Sequence, residues 1–228
     1  MADAGALYGL VGGLGAAAVG GAATIFGPLL LHRRQARQQR ALQAFQDQQE
    51  MIEEQRKTNA EFASHAHSAR MASREWLETL RRIAYDLRAR RRLDIEKTDA
   101  ELLPLAKKAT EHWYLLATAS GIPRGSPPGL LGQGDYLRAI FPLDGPSYAD
   151  KYLDELRVLR SNTRDSTDSY GCVVRTLNAA TLTSRAIVLR DLPSAEALPF
   201  LQALLTEAEA ARRRFVDFAA EEASTAEP

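Results

Sequence analysis

The feature that most constrains this chain is an uncharged stretch close to its N-terminus. Residues 4–31, AGALYGLVGGLGAAAVGGAATIFGPLLL, contain no Asp, Glu, Lys or Arg. A helix of about 20 apolar residues is long enough to cross the hydrocarbon core of a bilayer. The sequence therefore predicts a transmembrane helix within residues 1–31 and makes the membrane the first expected partner.

Charges on the two sides of this stretch predict its orientation. No Lys or Arg precedes it, whereas Arg33, Arg34, Arg37 and Arg40 follow it. Positively charged flanks stay on the cytoplasmic side, where they also lie close to anionic lipid. We therefore expect a single-pass protein of the cell membrane with its N-terminus outside and its C-terminal domain in the cytoplasm.

Two other interpretations of the stretch fit less well. A cleaved signal peptide needs a basic N-terminal region, and this chain begins Met-Ala-Asp-Ala. A dinucleotide-binding loop is suggested by Gly13-Leu14-Gly15-Ala16-Ala17-Ala18, but that fingerprint requires an acidic residue about 20 positions later, where this sequence is basic. The membrane helix remains the favoured interpretation.

Small residues recur every fourth position along the predicted span. They are Gly5, Gly9, Gly13, Ala17 and Gly21. On a helix this spacing forms one smooth ridge, which lets neighbouring membrane helices approach closely and gain van der Waals contact. The ridge predicts self-association into a homo-oligomer.

The rest of the chain has the composition of an all-α protein with three parts. Residues 32–68 are polar and Gln-rich, and only Leu42, Phe45 and Ile52 keep a heptad spacing, which predicts a helical stalk or a weak coiled coil. Residues 69–222 are predicted to form a helical bundle, interrupted by a Pro/Gly-rich loop at 121–146. Residues 223–228 are a tail.

Within the bundle, apolar periodicity predicts helices near 98–119, 147–160, 169–190 and 198–222. Thr98 or Asp99 is the expected cap of the first of these. The segment 169–190 is ambiguous because its β-branched runs also suit strands, but Val173, Leu177 and Ile187 recur at helical spacing, which favours a helix. Residues 165–169 read as a turn and cap before it.

Charge is unevenly distributed in a chain whose net charge is zero. Residues 32–92 carry 14 Lys and Arg against 8 Asp and Glu, and the acidic excess lies beyond them. A cluster of arginines near the end of this basic half is a candidate phosphate- or partner-binding patch. Its members are Arg81, Arg82, Arg88, Arg90, Arg91 and Arg92. Overall neutrality makes a nucleic-acid partner unlikely, although an Arg-based nucleic-acid tether is a third hypothesis.

No recognised chemical motif accompanies these features. His65 and His67 point away from each other on a helix, the lone Cys172 has no local histidine, and P-loop and nucleophile-elbow motifs are absent. We expect no enzymatic activity, cofactor or metal. The leading hypothesis is a membrane-anchored, self-associating adaptor that presents its bundle to a protein partner, and the alternative is a pore-forming effector assembled through the glycine ridge.

Overall fold

The computed structural model describes the backbone of residues 4–120, 140–142, 147–192 and 194–225, and side chains within these ranges at residue 35 and from 37 to 224. All regular structure in these ranges is helical, as the sequence predicts. The five helices are α1 (Ala4–Arg88), α2 (Ile95–Ala119), α3 (Ala149–Ser161), α4 (Ser166–Leu189) and α5 (Ser194–Thr225). The chain divides into two compact units, residues 1–56 and 57–228.

Helix α1 contributes to both units. Good helix formers fill residues 32–88, which contain neither Gly nor Pro. Side chains from Arg37 to Thr58 are exposed, whereas a stripe beginning at Ala66 is buried within the second unit and includes Trp76, Leu80 and Ile83. The helical bundle therefore begins at residue 57, although the apolar pattern becomes clear only near residue 69.

Helix α2 starts a turn earlier than the apolar pattern indicates, and the predicted cap is wrong. Asp94 is the N-cap, and its Oδ1 accepts hydrogen bonds from the backbone N–H groups of Glu96 and Lys97 at 2.8 and 3.2 Å. Thr98 is buried and donates to the Asp94 carbonyl at 2.7 Å. Asp99 instead accepts two hydrogen bonds from Arg185, at 2.5 and 2.8 Å, and so joins α2 to α4.

Helix α4 is the central helix of the bundle, and the preference for helix over strands is confirmed. Of its 24 residues, 18 are buried, on all sides of the helix. Three buried threonines satisfy their hydroxyl donors locally, since Thr176, Thr181 and Thr183 each donate to the carbonyl four residues earlier, at 2.8 to 2.9 Å. Ser169 Oγ, in contrast, is buried without a hydrogen-bond partner among the described residues. Asp165 caps the helix by accepting from the N–H of Asp168 at 2.8 Å, as the turn-and-cap pattern predicts.

Helix α5 also exceeds its predicted bounds, because it begins at Ser194 and carries Pro199 inside its second turn. Leu201, Leu204 and Phe215 are buried against the core, as expected. Glu222, near its end, accepts hydrogen bonds from the N–H and the hydroxyl of Ser166 at 3.0 and 2.7 Å. Most of the predicted loop, residues 121–139 and 143–146, lies outside the described residues.

One buried side-chain hydrogen bond joins α1 to α4. The indole N–H of Trp76 donates to Thr181 Oγ1 at 3.0 Å, and both residues are buried. Because water does not reach this pair, removing the acceptor leaves an indole N–H unsatisfied, which costs more than removing a solvated hydrogen bond.

We therefore predict that Thr181→Val lowers the free energy of unfolding by about 1–3 kcal/mol, because the Trp76 N–H loses its acceptor. Thr176→Val is the matched control, since Thr176 is also buried and its hydroxyl donates to the Cys172 carbonyl of its own helix. Its cost should be smaller. Chemical denaturation measures both variants, and equal losses would contradict a specific role for the Trp76–Thr181 bond.

Candidate functional site

Helices α1 and α4 end in the same way. After α1, the N–H of Arg90 bonds to the Leu87 carbonyl at 3.1 Å and the N–H of Arg91 bonds to the Asp86 carbonyl at 3.0 Å. After α4, the N–H of Arg190 donates to the Ile187 carbonyl at 3.1 Å, and the N–H of Asp191 donates to the Ala186 carbonyl at 2.9 Å. This paired pattern is the Schellman motif, which requires a left-handed residue immediately after the helix.

An arginine occupies the left-handed position in both motifs. The φ angles of Arg90 and Arg190 are 55° and 64°, and they are the only non-glycine residues with positive φ among those the structure describes. Glycine usually fills this position because a Cβ atom clashes there with the backbone. Both helices therefore end with a residue that the backbone geometry disfavours.

The two helix ends lie beside one cavity of about 960 Å³. Five arginines and Asp191 contribute its charged lining, the arginines being Arg88, Arg90, Arg91, Arg92 and Arg190. We call it the arginine cleft. Its remaining lining is mostly aliphatic and comprises Leu87, Leu93, Ile187, Val188, Leu192 and Leu198, together with Ser194 and Ala195 at the start of α5.

Most arginines of the cleft have no acidic partner. Arg91 forms an ion pair with Asp86 at 2.9 Å and lies over the Tyr85 ring, 5.9 Å from its centroid. No carboxylate of the described residues lies within ion-pair distance of the other four. With Asp191 counted, these four still leave a formal excess of positive charge in one cleft.

The arginine patch predicted from sequence is therefore divided in space. Arg82 pairs with Glu101 of α2 at 2.6 Å, and Arg81 lies 3.6 Å from Glu209 of α5. Burial by itself raises the pKa of Glu209, but hydrogen bonds from Arg212 and Arg213 and the charge of Arg81 lower it overall. Arg81 and Arg82 thus join helices of the bundle, and the other four predicted members line the cleft.

Arg190 is the member of the cleft that the sequence did not indicate. It lies 98 residues after Arg92, and no local pattern relates the two positions. Only the packing of α4 beside α1 brings their C-terminal ends together. The one local signal in the sequence is Pro193, since proline is common shortly after the C-terminal end of a helix.

The sites predicted near the membrane fall largely outside the described side chains. This applies to Gly5, Gly9, Gly13, Ala17 and Gly21, and to Arg33 and Arg34. Arg37 and Arg40 are exposed on α1. Within the part of the chain that was described, no helix is both long and apolar enough to span a bilayer.

His65, His67, His112 and Cys172 lie elsewhere in the bundle. His65 is half-buried. Burial is the largest cause that lowers the pKa of His112 on α2, and the charges of Lys108 and His65 lower that pKa further. Burial raises the pKa of Cys172 to about 11, which disfavours the thiolate that a nucleophile needs. Among the described residues, no three His, Cys, Asp or Glu side chains lie close enough to hold a metal ion.

No protein-family model, curated protein or solved structure matches this chain.

His112 should make the stability of the bundle depend on pH. The pKa of His112 is lowered from 6.5 in the folded chain, so the unfolded chain takes up the proton first as pH falls. Stability contributed by neutral His112 is present above about pH 6.5 and is lost as pH falls through the folded pKa.

We expect His112→Asn to flatten the decrease in the thermal midpoint between about pH 7.5 and 5 relative to the wild type. His67→Asn is the control, because His67 is exposed on α1. Its slope should match the wild-type slope. Equal slopes for His112→Asn and the wild type would contradict the assignment.

Proposed function

We propose that this protein is a membrane-anchored, self-associating adaptor without enzymatic activity. In this proposal residues 1–31 span the cell membrane with the N-terminus outside, α1 continues as a cytoplasmic stalk, and the bundle is presented to a protein partner. The proposal combines the uncharged stretch, the glycine ridge and the arginine cleft.

The observation that most directly supports self-association is the apolar exposure of the stalk. Leu42, Phe45, Met51 and Ile52 are 61%, 57%, 63% and 43% exposed. Leu42, Phe45 and Ile52 keep heptad spacing, so they lie along one stripe of α1. Large aliphatic and aromatic side chains repeated along an exposed stripe are typical of surfaces that bind another chain, and a second copy of the same stalk offers the same stripe in register.

The bundle supports the adaptor half of the proposal through its charge. Several other arginines that join helices are neutralised by carboxylates of neighbouring helices, as Arg185 is by Asp99 and Arg160 by Glu207. The arginine cleft departs from this pattern and leaves charge available for a partner. A binding surface, rather than a catalytic one, is what unpaired arginines and aliphatic side chains provide.

Replacing the glycines of the ridge tests the self-association step. We predict that Gly9→Leu/Gly13→Leu/Gly21→Leu reduces detergent-resistant cross-linking of the full chain several-fold, because bulky side chains keep the helix backbones apart. Gly15→Leu/Ala22→Leu is the matched control, since both positions lie about 100° or more around an ideal helix from each substituted glycine. Its cross-linking should equal that of the wild type.

Cross-linking that is unchanged in the glycine variant, or reduced equally in both variants, would refute packing through this ridge. In the first case the stalk stripe alone would account for association, and Leu42→Gln/Phe45→Gln would then abolish it.

The pore-forming alternative rests on the same ridge and differs in a direct readout. Several ridge-packed helices around a central opening would let a small dye leave liposomes that contain the full chain. An adaptor leaves the dye inside. We expect liposomes that contain the full chain to retain the dye as well as protein-free liposomes do. Dye release by the wild type that disappears in the Gly9→Leu/Gly13→Leu/Gly21→Leu variant would establish the pore instead.

A further inference from the structure

We propose that the arginine cleft binds an acidic segment of the partner protein, and that this segment also carries aliphatic side chains. The proposal rests on the adaptor function above and adds the chemistry of the partner. Three independent properties of the cleft lead to it: its unpaired charge, its backbone conformation and the nature of its apolar lining.

The unpaired charge points to an anionic occupant with several acidic groups. Arg88, Arg90, Arg92 and Arg190 are exposed and have no ion-pair partner among the described residues. Like charges around one cavity repel each other, and Asp191 is the one carboxylate among the described lining residues that offsets this repulsion. Guanidinium groups bind carboxylates through two parallel hydrogen bonds, so successive Glu or Asp residues match this lining.

The backbone indicates that these arginines are present for their side chains. At the left-handed position of a Schellman motif a glycine is favoured, and any L-residue with a Cβ atom is strained. Both Arg90 and Arg190 occupy such positions, and both line the cleft. Residues held in unfavourable backbone conformations cluster at functional sites, where the side chain is needed despite the strain.

The ends of the helices do not account for the choice of arginine. Cations are favoured beside helix C-termini, such as those of α1 and α4. However, the N-terminal turn of α5 lies at the same cleft and has the opposite effect. Two C-terminal ends against one N-terminal end leave about half a negative charge, which is small beside four unpaired guanidinium groups, so the side-chain charges dominate the field that an occupant meets.

The apolar lining selects among anionic occupants. It is aliphatic, with Leu93, Val188, Leu192 and Leu198 half-buried along it, and no aromatic ring is among the described lining residues. Unpaired nucleobases are bound largely by stacking on aromatic rings, which this lining lacks. Leu, Ile or Val side chains of a peptide pack well on such a surface, and a cavity of about 960 Å³ is much larger than a single phosphate requires.

Fluorescence anisotropy of a labelled synthetic peptide tests the proposal on the full chain in a non-ionic detergent. The probe is a twelve-residue peptide in which Glu and Asp alternate with Leu and Ile. Two further peptides serve as controls, one with every acid replaced by its amide and one with every aliphatic residue replaced by Ser. We expect binding of the first peptide to be at least about tenfold tighter than binding of either control.

The decisive variant is Arg90→Gly/Arg190→Gly. Relief of the left-handed strain should raise the thermal midpoint by about 2 °C or more, while loss of two cleft arginines should weaken peptide binding about tenfold or more. A residue that serves only the fold would change stability and binding in the same direction. The opposite changes expected here separate the two roles.

A matched control removes two arginines elsewhere in the bundle. Arg70 and Arg164 are exposed and also have no ion pair among the described residues. Arg70→Gln/Arg164→Gln changes the net charge as much as Arg90→Gly/Arg190→Gly does. It should leave the peptide affinity within about twofold of the wild type. Equal weakening in both variants would show that net charge alone attracts the peptide and would refute the cleft.

Other anionic ligands complete the test. The two alternative ligands are oligouridylate and vesicles of anionic phospholipid. If either one binds more tightly than the peptide and loses affinity in Arg90→Gly/Arg190→Gly, that result would overturn the acidic-segment proposal in favour of that ligand. Absence of binding by any of them would also refute it. Cross-linking through the glycine ridge is measured in a separate experiment. The peptide-binding proposal can therefore be refuted while self-association is supported, and self-association can be refuted while peptide binding is supported.

Discussion

The arrangement of the bundle depends on one helix that is buried on every side. Helix α4 has no exposed face along most of its length, yet it carries seven Ser and Thr residues besides its apolar ones. Thr176, Thr181 and Thr183 are tolerated there because their hydroxyl groups donate to carbonyls of their own helix. Of these, Thr181 also accepts a hydrogen bond from Trp76 of α1.

That contact joins α1 and α4 near the C-terminal ends of both helices. Helix α1 runs 12 residues beyond Trp76 and α4 runs 8 residues beyond Thr181. At 1.5 Å per residue these distances are about 18 and 12 Å in the same direction. The two C-terminal ends consequently lie close together, and Arg90 and Arg190 reach one cavity although they are 100 residues apart in the chain. The cleft is thus a consequence of the core.

Ion pairs around the core have different roles according to their burial. The pair between Glu207 and Arg160 is largely buried, and removing either partner would leave a charge in a poorly solvated place. Pairs such as Arg74 with Glu78 are exposed and contribute little. The arginines of the cleft belong to neither class, because they are solvated in this chain and would become desolvated only when a ligand covers them.

The sequence was sufficient for the parts of the fold that depend on local periodicity. Helix α4 was predicted because Val173, Leu177 and Ile187 recur at helical spacing, although its β-branched runs suit strands as well. The ends of helices were less predictable. Asp94 precedes the apolar pattern of α2, and α5 begins at Ser194, ahead of the predicted start at residue 198.

The candidate site was predictable only in part, because its charges depend on how the helices pack. A run of arginines is visible in the sequence, but whether each one pairs with a carboxylate depends on packing. Arg82 meets Glu101 of the next helix, and Arg81 meets Glu209, 128 positions away. Arg190 joins the cleft only through the contact between α1 and α4, which no local pattern encodes.

The exposed portion of α1 poses a separate physical question. Between Arg37 and Arg56 the described side chains bury almost nothing, so tertiary packing does not stabilise this stretch within one chain. In proteins most helical stability comes from tertiary packing of an apolar face rather than from propensity. The stretch contains many Gln and Glu residues, which are good helix formers, but it also exposes Phe45 and Met51, which favour burial. The pairing of stalks proposed above would supply the missing packing and remove these side chains from water together, so helix stability and self-association would then be one equilibrium.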